Sequence, residues 1–219
     1  MAQYLAMNPN KDLPVRIKYL LLLASIALIS LAIFWRKSIL TLIFPPPPTA
    51  VIESTGSQTH VFWIDGQKKI QLSQSNTNHS DPFSRGDFVV WTEEPQDRSE
   101  KYIVRLHIPT GTVVKITSSQ VAQQPRVNTQ GAVVWQGWED EGWHIFYFDG
   151  YSTKRLTSQG SQLNPDISGN QVVFAEKVST GRWQAVLLDL TDLTQEVVRT
   201  GQEAKHPRFE GTSLVFSPE

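Results

Sequence analysis

The chain is 219 residues long, with 20 Lys and Arg, 21 Asp and Glu, and no cysteine. Without a thiol, a disulfide framework, a thiolate zinc site, a catalytic cysteine and a lipoprotein-type anchor are excluded. The formal net charge of −1 hides an asymmetry: residues 1–44 carry Lys11, Arg16, Lys18, Arg36 and Lys37 against Asp12. The remainder is therefore mildly acidic, which argues against nucleic acid as a partner because phosphates demand a basic stripe.

In chain order, residues 1–18 are polar, with Asn8-Pro9 and Leu13-Pro14 interrupting any long helix. Residues 19–35, YLLLLASIALISLAIFW, are uncharged and apolar on every face, so they do not read as an amphipathic core helix. Seventeen helical residues rise about 26 Å, just short of a hydrocarbon core of ~30 Å. Continuing through residue 44 completes a span, with Tyr19 and Trp35 as interfacial aromatics and Arg36 and Lys37 snorkelling to the lipid headgroups. A cleaved signal peptide is the competing reading, but Ile43-Phe44-Pro45 offers no A-x-A-like cleavage site. We expect a single-pass inner-membrane anchor over residues 19–44. Its slight positive-inside bias puts the N-terminus in the cytoplasm and the rest in the periplasm or outside the cell. Pro45–Pro48 then opens a Pro-rich linker, residues 45–59.

From residue 60 to 217 the chain repeats. Asp81-Pro82, Gln124-Pro125, Asn164-Pro165 and His206-Pro207 recur at separations of 43, 40 and 42 residues. Each proline precedes an apolar run: Phe88–Trp91, Ala132–Trp135, Val172–Phe174 and Leu214–Phe216. Three of these lead through a polar turn to a third strand (Tyr102–His107, His144–Asp149, Gln184–Asp189) and then a short fourth. Four short strands per unit of this length is the layout of a propeller blade. Residues 60–73 match only the last two strands of a unit, and His206–Phe216 only the first two. The expectation is an all-β, four-bladed propeller whose fourth blade unites the two ends, preceded by one transmembrane helix.

The Pro…Val-Val-Trp step and Ile145-Phe146-Tyr147-Phe148-Asp149-Gly150 resemble the TolB-like family of β-propellers, related to the propeller domains of prolyl-oligopeptidase-type enzymes. The resemblance implies the fold over residues 60–217. Asn128-Thr129-Gln130-Gly131 and Ser168-Gly169-Asn170 stand where that family most often has Ser-Pro-Asp-Gly.

Catalytic constellations are missing from the pattern. Gly150-Tyr151-Ser152-Thr153-Lys154 lacks the final glycine of a nucleophile elbow, and no phosphate-cradling glycine motif occurs. None of the five histidines has metal-pair spacing; His60 and His144 share a register position and read as strand histidines on a blade face. We expect no enzyme, no cofactor and no metal. Trp91 and Trp135 align with Phe174 and Phe216, which marks them as packing residues. Candidate contacts lie instead in equivalent second-to-third-strand turns: Glu93, Glu94, Asp97 and Glu100 in one unit, and Trp138, Glu139, Asp140 and Glu141 in the next. Such carboxylates suit a basic partner, and Trp138 has no aromatic counterpart in the other units. Together these features predict a non-catalytic subunit docking on an integral-membrane protein complex. The alternatives are a free envelope-anchored receptor for a glycan or peptide, and a propeller gating a hydrolase carried by another chain.

Overall fold

The structure, a computed structural model, describes residues 23–31, 33–36, 47–56, 58–73, 77–95, 101–116, 121–158, 161–178 and 180–216. The chain forms two compact units, Met1–Pro47 and Pro48–Glu219. In the first, residues 23–31 and 33–36 are helical and every described side chain is exposed, Trp35 and Arg36 among them. Among the described residues no helix is long and apolar enough to cross a membrane. Much of the expected span, including Tyr19 and Lys37, lies outside the described residues.

The second unit is built from antiparallel meanders. At its N-terminal end β1 (Thr49–Thr55), β2 (Gln58–Asp65) and β3 (Lys68–Gln71) make a three-stranded sheet. Three four-stranded blades follow. The first is β4 (Thr77–Arg85), β5 (Phe88–Pro95), β6 (Tyr102–His107) and β7 (Thr112–Ile116). The second is β8 (Val121–Val127), β9 (Val133–Glu139), β10 (Gly142–Phe148) and β11 (Thr153–Arg155). The third is β12 (Ser161–Ser168), β13 (Gln171–Lys177), β14 (Trp183–Asp189) and β15 (Gln195–Thr200). A 3-10 turn, Gln202–Lys205, leads to the hairpin of β16 (Pro207–Glu210) and β17 (Ser213–Phe216). The first strands β4, β8, β12 and β16 stand side by side in that order.

Two sequence expectations are corrected. The composite fourth blade does not form: five sheets are present, and among the described residues no strand of the C-terminal hairpin pairs with the N-terminal sheet. The reason lies in Thr49–Thr55, within the expected linker. This segment pairs with β2 throughout, Val51 opposite Phe62 and Ile52 opposite Val61, and so takes the second-strand place that β17 would need. The prolines that precede each apolar run lie inside the first strands β4, β8 and β12, while Pro207 opens β16. Asp81, Gln124 and Asn164 adopt φ of 53°, 52° and 53°, and the register of each first strand shifts at that point. The repeat therefore marks a β-bulge, which re-aims the side chains around it.

Apolar side chains of neighbouring sheets fill three layers. Val61, Val89 and Trp91 meet between the N-terminal sheet and the first blade. Val90, Ile103, Trp135 and Phe146 meet between the first and second blades, and Ile145, Ile167, Phe174 and Leu188 between the second and third. Trp91, Trp135 and Phe174 are thus the packing residues their alignment implied. At about 25 cal/mol per Å², these layers supply the main drive to fold. Side chains also tie blade to blade. Asn128 accepts from the N–H groups of Gln130 (3.0 Å) and Ala132 (2.9 Å), closing its own turn, and donates to the Gly169 carbonyl at 2.9 Å. Ser168 donates to the Gly211 carbonyl at 2.9 Å.

Candidate functional site

The sequence-derived contacts occupy two hairpin tips. In the second blade Asp140 and Glu141 both adopt positive φ, 49° and 61°, between the paired residues Glu139 and Gly142. This is the two-residue turn whose twist suits a hairpin, formed without its usual glycine. Arg155 from β11 donates to Glu139 (3.0 Å) and Asp140 (2.7 Å), so both carboxylates are paired within their own blade. Glu141 is exposed. Trp138 is 36% exposed and packs edge-on against Trp143, ring centroids 5.5 Å apart.

At the equivalent tip of the first blade, Glu93 accepts from the Tyr102 hydroxyl at 2.8 Å and the Trp91 indole at 3.4 Å. Glu94 pairs with Lys101 at 3.2 Å. Asp97 and Glu100 lie outside the described residues. The chain therefore brings Trp138, Glu139 and Asp140 together on one hairpin, with most of the candidate acids already answered by internal partners.

His60 and His144 are both buried strand residues. Burial pushes the His144 imidazole below its ordinary range and the Arg155 guanidinium adds to this, while Glu139 and Asp140 oppose it. The unfolded chain then takes up a proton near pH 6.5 that the folded chain refuses. The contribution to stability is complete above about pH 6.5 and falls as the pH drops below it. Urea midpoints measured between pH 7.5 and 5 are expected to decline less steeply in His144→Leu than in the wild type.

A cleft of about 310 Å³, which the sequence pattern did not single out, opens where the four first strands converge. Its walls come from the bulges and the positions just after each proline: Phe83 and Arg85 from β4, Gln124 and Arg126 from β8, Asp166 from β12 and Arg208 from β16. The residue types differ from repeat to repeat, and only their shared place after the proline connects them in sequence. Arg85 reaches across to the third blade and the C-terminal hairpin, donating to the carbonyls of Ile167 and Phe209 (3.4 Å to the latter) and facing Asp166 at 3.6 Å. Asp166 in turn accepts from the N–H groups of Ile167 (2.8 Å) and Phe209 (2.7 Å).

Asp81 is similarly committed, to the Gln124 N–H at 3.3 Å and to the hydroxyls of Thr92 (3.3 Å) and Ser80 (3.2 Å). Arg126 lies against the Phe83 ring, 4.8 Å from its centroid, and donates to the Pro125 carbonyl at 2.9 Å. Burial lowers its pKa; Asp166 and Asp81 pull it back up, and Arg85 pushes it down. Arg208 is exposed and paired with Glu210 at 2.9 Å. Among the described residues no group of three or more His, Asp or Glu could hold a metal ion.

No family model matches the sequence. No curated protein matches it. Solved structures do. TolB from Acinetobacter baumannii superposes with a TM-score of 0.55 at 17% identity, over 72% of this chain and 42% of that one, so the match spans less than half of the TolB chain. The β-propeller domain of the Trilobed protease from Pyrococcus furiosus, described as an open velcro topology, gives 0.53 at 10% identity over 69% and 51%. Pyrococcus horikoshii acylaminoacyl peptidase gives 0.54 at 12% identity, over 69% of this chain but 25% of the enzyme. At these identities the likeness is one of fold: the chain has a TolB-like β-propeller fold.

Proposed function

We propose that this chain, a TolB-like propeller by fold, is a non-catalytic docking subunit held at a membrane by residues 19–44. In this reading its propeller binds a protein partner at the converging first strands. The observation that carries the reading is the cleft itself. Four sheets contribute to it, and its walls hold guanidinium groups, amides, aromatic rings, one carboxylate and one imidazole, with no Ser, Thr, Cys or Lys nucleophile among the lining residues. A fold of this type hosts unrelated functions, so the site and not the fold motivates the proposal.

Purification of the full-length protein in mild detergent tests it. A membrane protein partner in stoichiometric amount is expected. A lone species of 24.7 kDa plus detergent would sink the subunit reading. The second reading, a free envelope receptor for a glycan or peptide, draws on the half-exposed Trp138 edge-packed on Trp143, a platform on which a sugar ring could stack. It predicts that Trp138→Ala abolishes binding of a soluble ligand while co-purification of membrane proteins is unchanged.

A further inference from the structure

We infer that the cleft at the converging first strands is a carboxylate-binding site anchored by Arg126. A desolvated cation is costly unless an anion or a full set of acceptors answers it. Arg126 has one hydrogen bond, to a neutral carbonyl, and no carboxylate within ion-pair distance among the described residues. The two acids nearest in effect, Asp166 and Asp81, are occupied elsewhere. Asp166 takes two backbone N–H groups and faces Arg85; Asp81 takes one N–H and two hydroxyls. The guanidinium thus borders the cleft with no carboxylate bonded to it. Phe83 covers it, which favours in-plane approach by a planar acceptor over contact through the face.

The surroundings refine the ligand class. Arg85 and Arg208 line the same cleft, each facing an acid of its own, Asp166 and Glu210, which leaves Arg126 as the guanidinium open to a ligand; the Gln124 side chain adds an amide. Asp166, also in the wall, opposes a second negative charge close by, so a singly charged carboxylate suits the site better than a phosphate dianion. The volume of about 310 Å³ is at the small end for ligand pockets and admits one compact group. That carboxylate could be a free small acid or an acidic side chain or C-terminus presented by a docking partner. The chemistry is common to both, and the inference deepens the docking reading without depending on it.

The test is calorimetric titration of the full-length protein in mild detergent with propionate, with a short Glu-containing peptide whose C-terminus is amidated, and with inorganic phosphate. At least one carboxylate probe is expected to bind and to raise the melting temperature by linkage. Phosphate is expected to bind more weakly. Propionate alone would identify a free acid as the source; the peptide alone would identify a presented side chain.

Arg126→Gln is expected to weaken binding by roughly tenfold or more, and Arg126→Lys substantially, because one ammonium cannot reproduce a planar fork. The unliganded Arg126→Gln protein is expected to melt no lower than the wild type, since it loses a partly buried charge that no carboxylate pairs. Lys115→Gln, outside the cleft, serves as the control. Three results overturn the inference: neither carboxylate probe binds, Arg126→Gln binds as the wild type does, or phosphate binds at least as tightly. Loss of carboxylate binding in Arg126→Gln with membrane partners still co-purifying would remove the cleft from the docking reading and leave the carboxylate site standing.

Discussion

Asp166→Ala is expected to destabilise the propeller by about 3 kcal/mol, a large share of the 5–15 kcal/mol that usually separates folded from unfolded chains. Asp166 is 3% exposed and gathers three donors: the N–H groups of Ile167 and Phe209, and the Arg85 guanidinium, whose other acceptors, the Ile167 and Phe209 carbonyls, are neutral. Phe209 belongs to the C-terminal hairpin and Arg85 to the first blade, so one carboxylate holds together parts that are far apart in sequence. Removing it leaves the buried Phe209 N–H without its side-chain acceptor and the partly buried Arg85 with neutral carbonyls but no counter-charge, and such penalties exceed the value of the bonds themselves.

Asp166→Asn keeps one of the two acceptor oxygens, enough for the Phe209 N–H, but sets an amide NH2 against the Ile167 N–H and loses the charge facing Arg85. It is expected to cost less than Asp166→Ala but more than half as much. Urea unfolding followed by tryptophan fluorescence measures both. A double-mutant cycle with Arg85→Met should recover part of the loss, because deleting both partners removes the stranded charge. If Asp166→Ala costs under ~1 kcal/mol with an unchanged slope, water in the cleft already satisfies Arg85 and Phe209, and the clasp is not structural.

The blades were legible in the sequence because their determinants are local and repeated. Val89-Val90-Trp91 and Val133-Val134-Trp135 announce central strands, and the return of a proline every forty or so residues announces the period. What escaped the reading depends on conformation or on distant pairing. A residue before proline normally favours extended backbone, and nothing in Asp81-Pro82 or Gln124-Pro125 announces a left-handed bulge inside a strand. Thr49–Thr55 was hidden beside four prolines, although Val51, Ile52 and Thr55 carry the β-branched signature that its pairing with β2 uses.

The site divided in the same way. Carboxylates at the hairpin tips were visible as residue types, but their pairing was not: Arg155 lies fifteen or more residues from Glu139 and Asp140 and reaches both. The cleft was least visible of all. Phe83, Arg126, Asp166 and Arg208 share a place in the repeat but no single residue type, so a search for one recurring residue passes over them. The usable signal was the opposite one, charged residues at three of four positions directly after the prolines.

Trp135 presents a sharper question, because its burial and its hydrogen bonding point in opposite directions. The indole is fully buried between the first and second blades, stacked on Phe146 with centroids 5.8 Å apart and planes 17° from parallel. Trp135→Ala deletes the largest side chain of that layer and is expected to cost 3–5 kcal/mol, roughly the range for emptying an aromatic site in a core. Yet the Trp135 Nε1–H is buried without a hydrogen-bond partner, a penalty of roughly 1–3 kcal/mol that the wild type already carries. Trp135→Phe removes that donor together with part of the ring system, so the relief offsets much of the cavity it leaves. The expected net change is under about 1.5 kcal/mol. The fold supplies its own precedent: Phe174 occupies the equivalent place in the third blade, 1% exposed and packed in the adjoining layer. Urea midpoints for both variants decide the matter. Trp135→Phe costing as much as Trp135→Ala would mean that the shape of the indole, and not buried apolar area, holds the first and second blades in register.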